Sequence, residues 1–276
     1  MAPTKVMVNG LPGRVAEVVA RQVLKHPAYE LIPWSLTGPE IDLAEHVLAD
    51  RKVELIRPQD RQERMTDIIA REDAFISVDF THPTAVNDNA AFYCRRHLPF
   101  VMGTTGGDRE KLEQTVAASD IPAVIAPNMV KQIVGFQAMM AYAADTFPGL
   151  FKGYNLTVRE SHQEGKADTS GTAKAVVASF NRLGLDFSPE EIEKIRDPRV
   201  QQEEWGVPRE HLEGHGWHTY GLLSEDGTVR FEFTHNVNGR EVYALGTIDA
   251  IAFLQAKIAQ GAGGAVFTMI DVLKAG

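Results

Sequence analysis

Lys5-Val6-Met7-Val8-Asn9-Gly10-Leu11-Pro12-Gly13-Arg14-Val15-Ala16 is the stretch on which the fold turns. Residues 5–9 read as a short buried strand. Val15, Val18, Val19 and Val23 then recur at helical spacing. Between them the glycines are spaced G-x-x-G-x-x-A rather than G-x-G-x-x-G. Gly10 lets the backbone turn tightly, and Gly13 lets main-chain N–H groups approach a pyrophosphate at a helix N-terminus. Ala16 takes the position where helix and strand pack closely. The bland alternative is an ordinary strand-to-helix turn. Placement at the first strand–helix turn of a long alternation favours dinucleotide binding by Gly10, Leu11, Pro12, Gly13, Arg14 and Val15.

Working outward, strand patterns follow at 30–35 (weakened by Pro33), 53–56, 75–80, 100–102 and 123–126. A polar helix is predicted near 60–72, and another behind Pro83 carries Val86, Ala90, Ala91 and Tyr93. A further helix is predicted over 109–119. Strand–helix alternation of this kind predicts an α/β fold: a Rossmann-like, doubly wound parallel sheet of six strands. After Met129 the pattern changes. A helix over 131–146, a strand over 154–160, a helix from Ser170 to Leu183 and antiparallel strands over 217–245 describe a second, smaller α+β domain. The tail, 247–273, returns to helical spacing. The expected division is 1–130 with 246–276 for the nucleotide and 131–245 for the substrate, the two ligands meeting in the cleft between domains.

Ligands of open α/β sheets bind beyond the carboxyl ends of the strands. Three such ends carry small polar residues here: Asp79-Phe80-Thr81, Gly103-Thr104-Thr105, and Ala126 with Asn128. These are the expected nicotinamide contacts, with Thr105 also reaching the substrate. At the end of the second strand Ser35 and Thr37 are expected cofactor contacts, their hydroxyls facing a 2′-phosphate; no acid follows them to take a ribose 2′-hydroxyl, although Glu40 stands a little further on. The expected cofactor is NADPH, with NADH as the second choice.

The richest chemistry lies in Glu160-Ser161-His162-Gln163-Glu164-Gly165-Lys166-Ala167-Asp168-Thr169-Ser170-Gly171-Thr172-Ala173-Lys174. Ser170, Gly171 and Thr172 at a helix start suit a carboxylate. Lys166 is a point charge beside them, and His162 can exchange a proton near neutral pH. Each element alone reads as a capped helix, an exposed lysine or a surface histidine. Together they read as an anionic-substrate site, with His162 and Lys166 as catalytic candidates.

The net charge of −9 disfavours nucleic acid or anionic membrane as the main partner. The single cysteine, Cys94, cannot form an internal disulfide, which suits a reducing compartment. No membrane span or targeting segment is expected. The expected location is cytoplasmic, with the plastid stroma as the alternative. His211, His215 and His218 are not expected to bind metal, because Gly214 and Gly216 break any helix that could align them.

Taken together, the glycine loop, Asp79-Phe80-Thr81, Phe100 to Asp108, the 160–174 loop, Phe233-Thr234-His235-Asn236-Val237 and Met269-Ile270-Asp271-Val272-Leu273 resemble the dihydrodipicolinate (4-hydroxy-tetrahydrodipicolinate) reductases, closest to their plant-type branch. The resemblance spans nearly the whole chain. It implies NAD(P)H-dependent reduction of a small cyclic imine dicarboxylate in the diaminopimelate route of lysine biosynthesis, hydride passing to ring C4 after loss of water. It also implies a homo-oligomer, dimer or tetramer, and Ser-Gly-Thr as the binding step for a substrate carboxylate. The chain departs from the bacterial pattern, which has two adjacent histidines: Ser161 stands in the first position, so His162 or Lys166 must supply the proton. The alternative is an NAD(P)-binding sensor without turnover.

Overall fold

A computed structural model describes residues 2–276. The first stretch runs β1 (Thr4–Asn9), α1 (Arg14–Lys25), β2 (Tyr29–Leu31), β3 (Trp34–Leu36), β4 (Glu45–Leu48), β5 (Arg51–Ile56) and α2 (Arg61–Glu72). It continues through β6 (Ile76–Asp79), α3 (Val86–Arg95), β7 (Phe100–Met102), α4 (Arg109–Ala117) and β8 (Ala123–Ile125). Then come α5 (Lys131–Thr146), β9 (Tyr154–His162), α6 (Gly171–Arg182), β10 (Glu193–Ile195), α7 (Pro198–Glu203), β11 (His215–Ser224) and β12 (Arg230–Asn238). The chain closes with α8 (Glu241–Ala259), β13 (Val266–Phe267) and α9 (Met269–Ala275). Contacts divide it into two compact units: residues up to Lys131 with Glu241–Gly276, and Gln132–Arg240.

The first unit is built on a six-stranded parallel sheet in the order β13-β8-β7-β6-β1-β2. In α1, Ala16, Val19, Ala20 and Val23 are buried at the i, i+3, i+4, i+7 spacing of one helix face. Fully burying each such valine stabilises the fold by about 1.5–3 kcal/mol. The strand expected over 30–35 is broken at Pro33, which has no N–H for a ladder. Its first half, β2, pairs with β1, while its second half, β3, joins a separate three-stranded sheet, β3-β5-β4. The strand expected at 53–56 belongs to that small sheet as well. The sixth place in the large sheet is filled by β13, from the tail.

The second unit carries a four-stranded sheet in the order β10-β9-β11-β12. β9, β11 and β12 are antiparallel neighbours, and β10 pairs parallel to β9 at the edge. Strand alternation sends Val158, Tyr220 and Leu222 to the face packed on Ala173, Val176, Val177 and Phe180 of α6 and on Met140 and Ala144 of α5. The antiparallel strands expected over 217–245 stop short: residues 241–245 are already helix. That helix, α8, is 19 residues long and contains an 18-residue stretch with a mean hydropathy of 1.3, so by length and composition it could span a membrane, contrary to expectation. In the fold it is a packed helix of the first unit, with Ala244, Gly246, Ile248, Ala250, Ile251 and Leu254 buried. Gly246 lies so close to the Met129 carbonyl that no side chain fits.

Candidate active site

The glycine loop is shaped by contacts that forbid side chains. Gly10 has φ +107°, and a Cβ there would strike the Phe80 carbonyl. A Cβ on Gly13 would come within 2.7 Å of the Gly10 oxygen. The Gly10 N–H donates to Leu36 O at 2.8 Å, and Gly13 N–H to Gly10 O at 2.8 Å. Gly13 is the N-cap of α1 and supplies no side-chain cap, so the first-turn N–H groups stay open to an anion. Gly13 and Arg14 are exposed, Pro12 and Val15 half-buried, and Leu11 buried. The loop therefore fits a pyrophosphate by shape and by dipole.

Ser35 and Thr37 were expected to face the 2′ position of the cofactor. The structure commits them to the loop instead. Ser35 Oγ accepts from the Leu11 N–H at 3.2 Å and donates to Leu36 O, and Thr37 Oγ1 donates to Leu11 O at 2.8 Å. Both residues are buried. Beside them lies a cavity of about 510 Å³ whose lining includes Thr37, Gly38, Glu40, Arg61, Thr81 and Asn89. Glu40 folds its carboxylate onto Gly38, where a Cβ would collide with it. Arg61 donates to Asn89 Oδ1 at 2.7 Å, and its guanidinium sits 4.4 Å from the Phe92 ring centroid.

Asp79 was expected to touch the cofactor, but it is fully buried and its oxygens are occupied. Oδ1 accepts from the N–H and hydroxyl of Thr81 and from the Thr104 hydroxyl. Oδ2 accepts from Asn89 Nδ2 at 3.0 Å and from the Tyr93 hydroxyl at 2.7 Å. Burial, with the Asp79 carboxylate beside it, pushes the Tyr93 phenol well above its ordinary range, so it remains a donor. Asp79 is thus a hub that fixes Thr81 and Thr104. The Phe80 ring fills the space a Gly103 side chain would need. Thr105 is exposed, Ala126 is buried, and Asn128 Oδ1 accepts from the Val130 N–H.

In the second unit, β9 delivers Glu160 and His162 to one sheet face and Ser161 to the other. Ser161 Oγ lies 2.7 Å from His215 Nε2. His215 Nδ1 is within 3.2 Å of the His211 and Leu212 carbonyls, so it carries the proton and Nε2 accepts from Ser161. His215 and His218 are three residues apart on β11 and so face opposite ways, which is what separates them rather than glycines breaking a helix. On the Glu160 face, His162 and His218 stand edge to face at 5.0 Å, and His218 stacks on His235 at 4.6 Å. Burial, then the positive charges of Arg196 and Lys166, push His162 down to about 3. Burial likewise lowers His235 to about 4 and holds His218 well below its usual range. The three imidazoles are neutral at physiological pH.

Ser170 is the N-cap of α6. Its Oγ accepts from the Ala173 N–H at 3.4 Å and lies 3.0 Å from His218 Nε2, while its N–H donates to Glu160 Oε2 at 3.0 Å. The expectation that Ser170 holds a ligand therefore shifts to its neighbours. Gly171 is exposed and Thr172 half-buried. Their N–H groups are the first of the helix, with no partner inside it. A Cβ on Gly171 would meet nothing within 4 Å. Lys166 Nζ pairs with Asp168 Oδ1 at 2.7 Å, which lowers the Asp168 carboxyl. Glu160, His162 and His218 offer ligand atoms within 4.8 Å of one another. Glu160 is already bound by Arg196 at 2.6 Å and by the Ser170 N–H, so a cation there would face a guanidinium. That donor set suits a hydrogen-bonded frame rather than a metal ion.

The family described as "Dihydrodipicolinate reductase, N-terminus" matches residues 4–129, and its C-terminal counterpart matches residues 133–273. The chain belongs to the dihydrodipicolinate reductase family. It is 45% identical over 271 residues to a probable 4-hydroxy-tetrahydrodipicolinate reductase 1, chloroplastic, of Oryza sativa subsp. japonica, covering 98% of this chain and 79% of that one. It is likewise 45% identical to 4-hydroxy-tetrahydrodipicolinate reductase 1, chloroplastic, of Arabidopsis thaliana, over 98% of this chain and 78% of that one. A solved, dipicolinate-bound dihydrodipicolinate reductase from Paenisporosarcina sp. TG-14 shares the fold, with a TM-score of 0.66 at 17% identity over 96% and 97% of the two chains. Among residues of this family member that sequence reasoning missed, Arg196 and Gln201 stand out. Gln201 is buried and donates to His162 O at 2.7 Å and to Ile195 O at 3.1 Å. Both follow the three-residue strand β10, too short to carry a periodic signal.

Proposed function

We infer that this chain reduces 4-hydroxy-tetrahydrodipicolinate to tetrahydrodipicolinate with a nicotinamide cofactor, in the diaminopimelate route to lysine. The observation that carries the reading is in the second unit: the start of α6, where the first N–H groups, of Gly171 and Thr172, have no partner inside the helix, follows a loop whose Lys166 is paired only with the exposed Asp168, on a chain whose relatives bear that activity in their names. The substrate carries two carboxylates. One is held by the Gly171 and Thr172 N–H groups and the Thr172 hydroxyl, and Lys166 exchanges Asp168 for the anionic substrate. NAD(P)H, when bound, supplies the hydride. After hydride addition at C4 of the dehydrated ring, the electron-rich conjugated system takes a proton from Lys166 Nζ. His162, held neutral by burial and by Arg196, lines the site as a hydrogen-bond donor and does not titrate in the cycle.

In the first unit, Gly10, Leu11, Pro12, Gly13, Arg14 and Val15 cradle the pyrophosphate. Phe80, Thr81, Gly103, Thr104, Thr105, Ala126 and Asn128 form the nicotinamide edge, ordered from beneath by Asp79. Ser35 and Thr37 brace the cradle. The ribose end sits in the 510 Å³ cavity, where Arg61 favours a 2′-phosphate and Glu40 favours free hydroxyls. Both coenzymes are therefore used, with NADPH ahead. The plastid-stroma reading draws support from the chloroplastic designation of the rice and Arabidopsis relatives, whereas the cytoplasmic one rests on composition. The test is NADPH and NADH oxidation by the purified protein with the product of dihydrodipicolinate synthase as substrate. Turnover with both coenzymes is expected. Cofactor binding with no turnover would make the chain a sensor instead.

A further inference from the structure

The substrate loop 163–169 has no regular structure of its own. Apart from one turn, closed by the Lys166 N–H on Gln163 O at 3.0 Å, it is held by a side chain 30 residues downstream. Arg196 leaves the end of β10 and reaches across β9. Its Nε donates to the Lys166 carbonyl at 2.8 Å. Its Nη2 donates to Glu160 Oε1 at 2.6 Å and to the Asp168 carbonyl at 3.4 Å. Its Nη1 reaches the Glu160 and Ile195 carbonyls at 3.4 and 3.2 Å. One planar guanidinium thus holds the loop at both 166 and 168.

Glu160 completes the arrangement. It is fully buried, and its carboxylate accepts from Arg196 on one side and from the Ser170 N–H on the other. The loop's backbone and the start of α6 are therefore tied to the same carboxylate. The backbone from which the Lys166 side chain departs is thereby held at one place relative to the start of α6, where the N–H groups of Gly171 and Thr172 are open. A buried ion pair of this kind adds little net stability over an apolar pair of equal shape, because desolvation offsets the attraction. Its geometric consequence is the larger one: it sets two anion-binding groups, on a loop and on a helix, at one spacing.

We propose that Arg196 and Glu160 are a positioning pair that sets the spacing between Lys166 and the Gly171–Thr172 N–H groups, and so selects a substrate with two carboxylates. Neither is a catalytic residue. The proposal rests on the reading of 160–174 as the substrate site. Lysine cannot replace Arg196 here: an ammonium can pair with Glu160 but cannot span the carbonyls of residues 166 and 168 in one plane.

The experiment compares wild type with Arg196→Gln, Arg196→Lys and Glu160→Gln. For each, Tm, NADPH affinity, kcat and KM are measured, together with calorimetric affinity for pyridine-2,6-dicarboxylate and for pyridine-2-carboxylate. Arg196→Gln and Glu160→Gln are expected to raise KM at least tenfold, with a smaller fall in kcat and unchanged NADPH affinity. They should also shrink the preference for the dicarboxylate over the monocarboxylate. Arg196→Lys should recover the Tm but not the KM, a split that a merely structural role would not produce. The proposal is overturned if KM and the preference stay at wild-type values, or if Arg196→Lys restores both along with Tm. Should Arg196→Gln fail to fold, Glu160→Gln, which keeps a carbonyl acceptor for Ser170, decides alone. If the wild type shows no turnover, the functional reading fails, and the two pyridine ligands still decide the positioning pair.

Discussion

Both units have a helix N-terminus with open N–H groups, and they build it by opposite means. At α1 the helix starts on Gly13 with no side-chain cap, and the opening is held by backbone contacts in which a Cβ would collide. At α6 the helix starts on Ser170, which is capped by its own hydroxyl, tied to Glu160 and approached by His218. Glycine geometry shapes the first site, and a buried charged network shapes the second. The first has its shaping glycines, Gly10 and Gly13, in one turn, closed by Leu36 and Phe80. The second needs residues 160, 170, 196 and 218 to meet. The comparison teaches that a helix start can be kept open by glycine backbone geometry in one unit and by a buried charged network in the other.

Removing the charge of the second site should have the largest effect. Lys166→Ala is expected to lower kcat/KM by about 100- to 10,000-fold, the range for losing a general acid. NADPH affinity, read by fluorescence titration, should not move. A loss of cofactor binding would show that the two sites are not built independently.

Two glycine substitutions sharpen the contrast. Gly10→Ala places a methyl on the Phe80 carbonyl at a positive φ, so it should destabilise the protein by about 1–3 kcal/mol and weaken NADPH binding. Gly171→Ala places a methyl in open space, so Tm should hold within the usual surface range while KM for the dicarboxylate rises several-fold. If Gly171→Ala leaves KM untouched, the carboxylate does not approach the start of α6.

The glycine loop was legible because its turn residues are consecutive in sequence, although the contacts that hold it, to Leu36 and Phe80, were not. Also legible were α1, α5 and the β11–β12 hairpin, whose periods are long enough to count. The sheet order was less legible. Pro33 looked like a weak point in one strand, yet it divides the segment between two sheets, and the sixth strand of the large sheet is only Val266–Phe267. In the second unit, the start of α6 at Ser170 and Gly171 could be read from spacing. Arg196 could not, since nothing near position 196 signals that it folds back to Glu160. Asp79 was visible as a polar strand end, but its five donors come from four separate residues, so its supporting place was not.

A smaller effect is expected at the ribose end. Thr37 is tied to the loop, so Glu40 is the better probe of coenzyme choice. Glu40→Gln should raise the NADPH-to-NADH ratio of kcat/KM several-fold by removing a carboxylate that repels a 2′-phosphate. An unchanged ratio would move the discrimination elsewhere.

The smallest effect concerns acid stability. His162 and His235 are lowered from 6.5 to about 3 and about 4, so between those values and 6.5 the unfolded chain binds more protons than the folded one. The stability that depends on keeping them neutral is complete above pH 6.5 and is lost as pH falls towards 3–4. Tm should therefore fall less steeply over pH 6.5 to 4 in His235→Gln than in the wild type. Parallel slopes would mean that the imidazole stack is open to water.

The central claim is that a fixed charged network, and not a titrating histidine, runs the substrate site. The most direct measurement is the pH dependence of kcat/KM for wild type beside His162→Asn, from pH 5 to 9. The account predicts two curves of the same shape, offset by a constant factor, because His162 is neutral throughout that range. A basic limb near pH 6.5 in the wild type that disappears in His162→Asn would contradict it and make His162 the proton donor.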